Sequence, residues 1–114
     1  MKTYRIDRTK WLRGTSFGTL WSKPDQAGCC LGHMIKQDND CTWDELANKS
    51  YPSLSDISEG VVPDVVKFGC EVKFSIQASK FAGINDNPCI SDELREAQLI
   101  SLAKENGFNI EFYN

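Results

Sequence analysis

Five consecutive residues, Gly28-Cys29-Cys30-Leu31-Gly32, constrain this chain more than any others. They follow Lys23-Pro24-Asp25-Gln26-Ala27, a turn by composition, in which proline fixes one φ and Gly28 admits a positive one. Leu31, Met34 and Ile35 then recur at i, i+3 and i+4, which predicts a helix from about Cys29 to Gln37, ended by Asp38-Asn39-Asp40. A glycine inside a helix costs about 1 kcal/mol relative to alanine. Gly32 therefore predicts a close approach, by another backbone or by a ligand. A helix start is also where a thiolate is stabilised and where backbone N–H groups can hold an anion. Two readings stay open at this point: Cys29 and Cys30 fill a tight junction, or one of them is reactive.

The rest of the chain alternates short helical and extended signals. Asp7 can cap a short helix over Arg8 to Arg13, with Gly14 to end it. Thr15 to Ser22 reads as a strand with Phe17, Thr19 and Trp21 on one side and Leu20 on the other. Thr42-Trp43-Asp44-Glu45 has the form of a capping box and predicts a helix over Trp43 to Lys49. Tyr51 to Gly60 reads as loop, and Pro63 can open a short helix over Asp64 to Phe68. Glu71 to Ser79 alternates with period two and reads as a half-buried strand, with a helix as the alternative. Ile84 to Pro88 is a turn by composition. Ser91 caps a last helix over Asp92 to Asn106, whose Leu94, Ala97, Leu99, Ile100, Leu102 and Ala103 span a wide arc and predict packing on more than one side. Gly107 stops it, and Phe108, Ile110 and Phe112 alternate in a closing strand. The expected fold is one α+β domain over residues 1–114, a few short strands with three or four helices packed on one face.

Composition excludes several function classes. No apolar run approaches the length of a membrane helix, and Met1 to Leu12 lacks the pattern of a signal peptide, so a soluble intracellular protein is expected. Five cysteines, an odd number, argue against a disulfide framework. No C-x-x-C pair is present and His33 is the single histidine, so no metal is expected. The net charge of −3 is uneven: Lys2, Arg5, Arg8, Lys10, Arg13 and Lys23 stand against Asp7 alone in the first 23 residues, and the remainder is acidic. Such a chain is no coat for long nucleic acid. Its basic segment suits a small anion, or is a solvated face paired with the acidic remainder.

Three chemistries compete. A cysteine nucleophile at Cys29 or Cys30 needs an oriented base, and His33 lies too near in the same helix. Carboxylate-held metal needs converging acids, and none has a recognisable spacing. An anion site fares better. Arg8, Lys10 and Arg13 can hold phosphates, and Trp11 or Trp21 can stack on a base. Cys29, Cys30 and Gly32 supply the floor, while Asn85 and Asp86 read a polar edge. No cofactor is required.

Four segments also carry a resemblance: Asp7-Arg8-Thr9-Lys10-Trp11-Leu12-Arg13-Gly14; Cys29 to Gly32; Asn85-Asp86 ahead of the charged stretch Ser91 to Glu105; and the tail Gly107 to Tyr113. Together they resemble a family of small proteins widespread in tailed bacteriophages. The motifs are specific as a set and weak singly, and residues 42–80 match poorly. The resemblance implies a phage accessory protein acting in the host cytoplasm, and no chemical role for His33. The expected function is capture of a small phosphate-bearing ligand, sequestering a nucleotide-derived host immune signal as an anti-defence measure. The alternative is an inhibitor that binds a host defence protein directly. A cysteine-dependent or nucleotide-cleaving enzyme ranks third. The state of assembly, monomer or homo-oligomer, stays open.

Overall fold

The computed structural model describes residues 2–15, 19–39, 42–47 and 80–114. The expected loop at 51–60, the short helix at 64–68 and the strand at 71–79 lie outside the described residues.

The domain is α+β: among the described residues a two-stranded sheet carries helices packed against it. Strand β1, Thr3–Asp7, pairs in parallel with β2, Asn109–Tyr113, in the register Tyr4↔Ile110 and Ile6↔Phe112. Period-two geometry puts Tyr4, Ile6 and Ile110 in the core and leaves Arg5 and Glu111 in water. Helix α1, Cys30–Asn39, packs on β1, and α4, Asp92–Glu105, packs on β2. Between them in sequence come α2, Trp43–Leu46, and a helical stretch, α3, over residues 80–86. Phe81 from α3 stacks on Phe108, which meets Tyr4 edge-on. Each such buried aliphatic or aromatic side chain contributes about 1.5–3 kcal/mol over its exposed state.

The last helix forms as the sequence predicts. Ser91 Oγ accepts from Leu94 N at 3.2 Å. At the other end Gly107 adopts φ +86°, so that Phe108 N reaches Ala103 O and Gly107 N reaches Lys104 O. That pair of bonds is the Schellman arrangement, which satisfies carbonyls a helix end leaves open. The wide apolar arc is not used, however. Arg95, Leu99, Leu102 and Ala103 make one buried stripe, while Leu94 is 46% exposed and Ala97 faces solvent. Arg95 is buried because its guanidinium bonds to Asp92 and to the carbonyls of Asn87 and Ile90, pinning the loop before α4.

Four other expectations need correction. The helix expected over residues 8–13 is only a 3-10 turn, Arg8–Lys10, capped by Asp7 as predicted. Trp11 is already extended, because its backbone bridges to Gly28. The strand expected over 15–22 is reduced, among the described residues, to isolated bridges at Trp21 and Ser22. Leu20 and Trp21 are both buried, which an alternating strand with one wet face does not permit. In the turn at 23–28 the positive φ belongs to Gln26, not Gly28. Finally, Ile84 to Asp86 are helical, and the turn begins only at Pro88. Asn85 faces inward there, so its polarity signals a buried hydrogen-bond hub rather than a turn.

Strand β1 has no counterpart in the sequence reading. Its alternation of Tyr4 and Ile6 with Thr3, Arg5 and Asp7 was the available signal, in a segment dominated by charge.

Candidate functional site

The start of α1 is closed by the protein itself. Cys29 N donates to Thr19 O at 2.9 Å, and Cys30 N donates to Asn85 Oδ1 at 3.0 Å. The same Asn85 oxygen accepts from Trp11 Nε1 at 2.7 Å, and Asn85 Nδ2 donates to Leu12 O and to Asp86 Oδ1. One fully buried carboxamide thus joins the N-terminal segment, α1 and α3. Above it, the carbonyl of Leu20 lies against Gly28 and Gly32, where a Cβ on either would come within 2.0 Å of that oxygen. The close approach predicted at Gly32 is therefore to another backbone.

The two thiols share this burial. Desolvation pushes the Cys29 thiol up to about 12, although N–H groups of Gly32 and Leu31 pull the other way. Desolvation likewise pushes Cys30 up, aided by Cys29 and Asp86. With Cys29 near 12, about one molecule in ten thousand carries its thiolate at pH 8. In native protein, iodoacetamide should modify exposed Cys89 and leave Cys29 and Cys30 untouched until unfolding, as read by peptide mass mapping. Labelling of either buried thiol at the rate of Cys89 would contradict this packing.

The remaining residues expected to bind ligand are also placed. Arg8 forms a two-pronged bond to Glu96 of α4, 2.8 Å from each oxygen, and this hydrogen bonding raises its pKa. Arg13 donates to the carbonyls of Trp11 and Arg8, sits 3.2 Å from Asp92 and lies over the Trp11 ring. Trp11 is 3% exposed and leans on Phe112, so it has no face for a base. Trp21 is buried and stacked on Trp43, with ring centroids 4.1 Å apart. Trp11, Cys30, Asn85 and Asp86 are brought together as packing, with Cys29 and Gly32 beside them. Of the ten, Lys10 lines an open cleft formed by described residues.

That cleft, about 180 Å³, lies beside β1. Arg5 and Asp7 come from β1, Lys10 from the turn, His33, Lys36 and Gln37 from α1, Trp43 from α2 and Tyr113 from the end of β2. Gln37 fixes α1 to the strand by donating to Arg5 O and accepting from Arg5 N. His33 Nε2 lies 2.9 Å from Lys10 O, and because a carbonyl only accepts, Nε2 carries the proton. Burial lowers the His33 pKa, so the ring is neutral near pH 7. Asp7 is held ionised by the Thr9 hydroxyl and N–H. Three cations against one carboxylate make the lining basic, although Arg5 also lies 3.4 Å from Glu111, an exposed pair at the strand surface.

Of the lining, sequence reasoning assigned only Lys10 to the site, although it counted Arg5 in the basic segment and two further signals were present. His33, Lys36 and Gln37 recur at i, i+3 and i+4, the non-core register of α1 next to its apolar stripe. Arg5 and Asp7 alternate with Tyr4 and Ile6. Among the described residues no group of three or more His, Cys, Asp or Glu side chains could hold a metal ion, and no helix is long and apolar enough to cross a membrane. Compared with known proteins, the chain matches no family model, no curated protein sequence and no solved structure.

Proposed function

We propose that this protein binds a small phosphate-bearing ligand without transforming it, and that the ligand sits in the cleft beside β1. One observation carries the reading: Arg5, Lys10 and Lys36, drawn from three different elements, line a single cleft with one carboxylate among them. Charge-assisted bonds from such groups to phosphate are about twice as strong as neutral ones. The protonated, buried thiols and the neutral, carbonyl-bound His33 support binding over thiol catalysis. In the setting that the phage-family resemblance implies, the task is sequestration of a nucleotide-derived immune signal in the host cytoplasm.

Isothermal titration calorimetry with inorganic pyrophosphate and ADP-ribose tests this. Wild-type protein should bind both. The double variant Lys10→Ala/Lys36→Ala should bind at least about 100-fold more weakly, since each charged hydrogen bond is worth about 1.5–3 kcal/mol. Arg8→Ala, which removes a guanidinium already held by Glu96, should change affinity less than about threefold, well under 1 kcal/mol. No heat of binding with any phosphate ligand would overturn the proposal and favour direct inhibition of a host protein. A ligand recovered with altered mass would make it an enzyme.

A further inference from the structure

Resting on that reading, we infer that the cleft takes only the phosphate end of its ligand and leaves the base outside, so that recognition is indifferent to the base. Two independent observations lead there. The first is size. Pockets that enclose a drug-sized ligand measure about 300–1,000 Å³. At about 180 Å³ this one accommodates a phosphate or diphosphate group and little more.

The second is the state of its aromatic walls. A base needs an open ring face to stack on. Trp43 gives one face to Trp21, at 4.1 Å and 19°. Lys36 Nζ lies over its ring 5.4 Å from the centroid, and His33 meets it edge-on at 5.1 Å. Tyr113 is covered by the Arg5 guanidinium, 4.5 Å from its centroid. A base stacking where Lys36 lies over Trp43 or where Arg5 lies over Tyr113 would displace that side chain from its ring. Those are the charges that a phosphate needs, so stacking and phosphate binding compete for the same two side chains. The rings hold the cations in place, and the cations do the reading.

Calorimetry with ADP, GDP, UDP, pyrophosphate and adenosine tests the inference on wild-type protein. The three nucleoside diphosphates carry the same charged group and should bind within about threefold of one another, a spread below 1 kcal/mol. Pyrophosphate should compete with all three, and adenosine should not bind. Lys36→Met keeps the length of the side chain and removes its charge. It should weaken the three nucleotides by one common factor of about ten, the loss of a charged hydrogen bond. A preference above about tenfold for one base, worth 1.4 kcal/mol, would overturn the inference while leaving phosphate binding intact. So would binding of adenosine, or an unequal loss in Lys36→Met. Failure of all five ligands would remove the underlying anion site, and this inference with it.

Discussion

Asn85→Ala is expected to destabilise the fold by about 3–5 kcal/mol, among the largest effects a single substitution has. The carboxamide is wholly buried, and its bonds to Trp11, Cys30 and Leu12 cross between elements. Its removal strands the Trp11 indole N–H, the first helical N–H of α1 at Cys30 and the Leu12 carbonyl. Each buried group left without a partner costs about 1–3 kcal/mol, and partial relaxation or an entering water returns some of it. A domain of this size has about 5–15 kcal/mol to lose. With a urea slope of about 1–3 kcal/mol/M, the unfolding midpoint should fall by about 1–5 M with the slope unchanged. Trp11→Phe alone should cost less, because it removes one donor and leaves Asn85 with Cys30. The double variant should cost less than the sum, since both changes break the Trp11–Asn85 bond. A midpoint shift for Asn85→Ala below about 0.5 M would mean that the hub contributes little.

Gly32→Ala should be the second large loss, and its sign is informative. Helix propensity alone favours alanine by about 1 kcal/mol. Here a Cβ would stand 2.0 Å from Leu20 O and 2.8 Å from its carbonyl carbon, backbone atoms that cannot swing aside. Helix α1 would have to lift from the 19–22 segment. Overpacking of this kind typically costs about 1–3 kcal/mol; with backbone at 2.0 Å the cost lies at the top of that range, and a net loss of about 2 kcal/mol is expected after the propensity gain. Gly83 provides the control. It lies in α3, and a Cβ there meets nothing within 4 Å. Gly83→Ala should raise stability by about 0.5–1 kcal/mol. In thermal unfolding the two substitutions should move the midpoint in opposite directions, Gly32→Ala down by about 10 °C and Gly83→Ala up by a few degrees. A neutral or stabilising Gly32→Ala would contradict the contact with Leu20.

These two residues show what the sequence conveys and what it hides. Gly32 is legible as a close contact because a glycine inside a helical pattern is costly unless something needs the space. Which partner needs it is not legible, since backbone and ligand make the same demand. Helix α4 is legible because caps are local: Ser91 and Gly107 act within a few residues of themselves. The buried Asn85 is misread as a turn residue because a side chain's partners 55 and 74 positions away leave no local trace. Strand β1 does leave a local trace, the alternation of Tyr4 and Ile6, but its charges obscure it and its partner lies at the other end of the chain. The cleft fares worst. Its cations come from β1, a turn and α1, and only the fold brings them together. Arg8 and Arg13 look equally available in sequence, yet α4 presents Glu96 and Asp92 to them.

The central claim is that conspicuous residues around Cys29 to Gly32 are architecture, and that the ligand enters beside β1. Amide chemical-shift mapping during titration with inorganic pyrophosphate tests it most directly. The perturbed amides should cluster at Arg5, Lys10, Lys36, Gln37 and Tyr113, while those of Cys29, Cys30, Leu31 and Gly32 stay still. Shifts concentrated at Cys29 to Gly32 and Asn85 would contradict it, and would return the site to the start of α1.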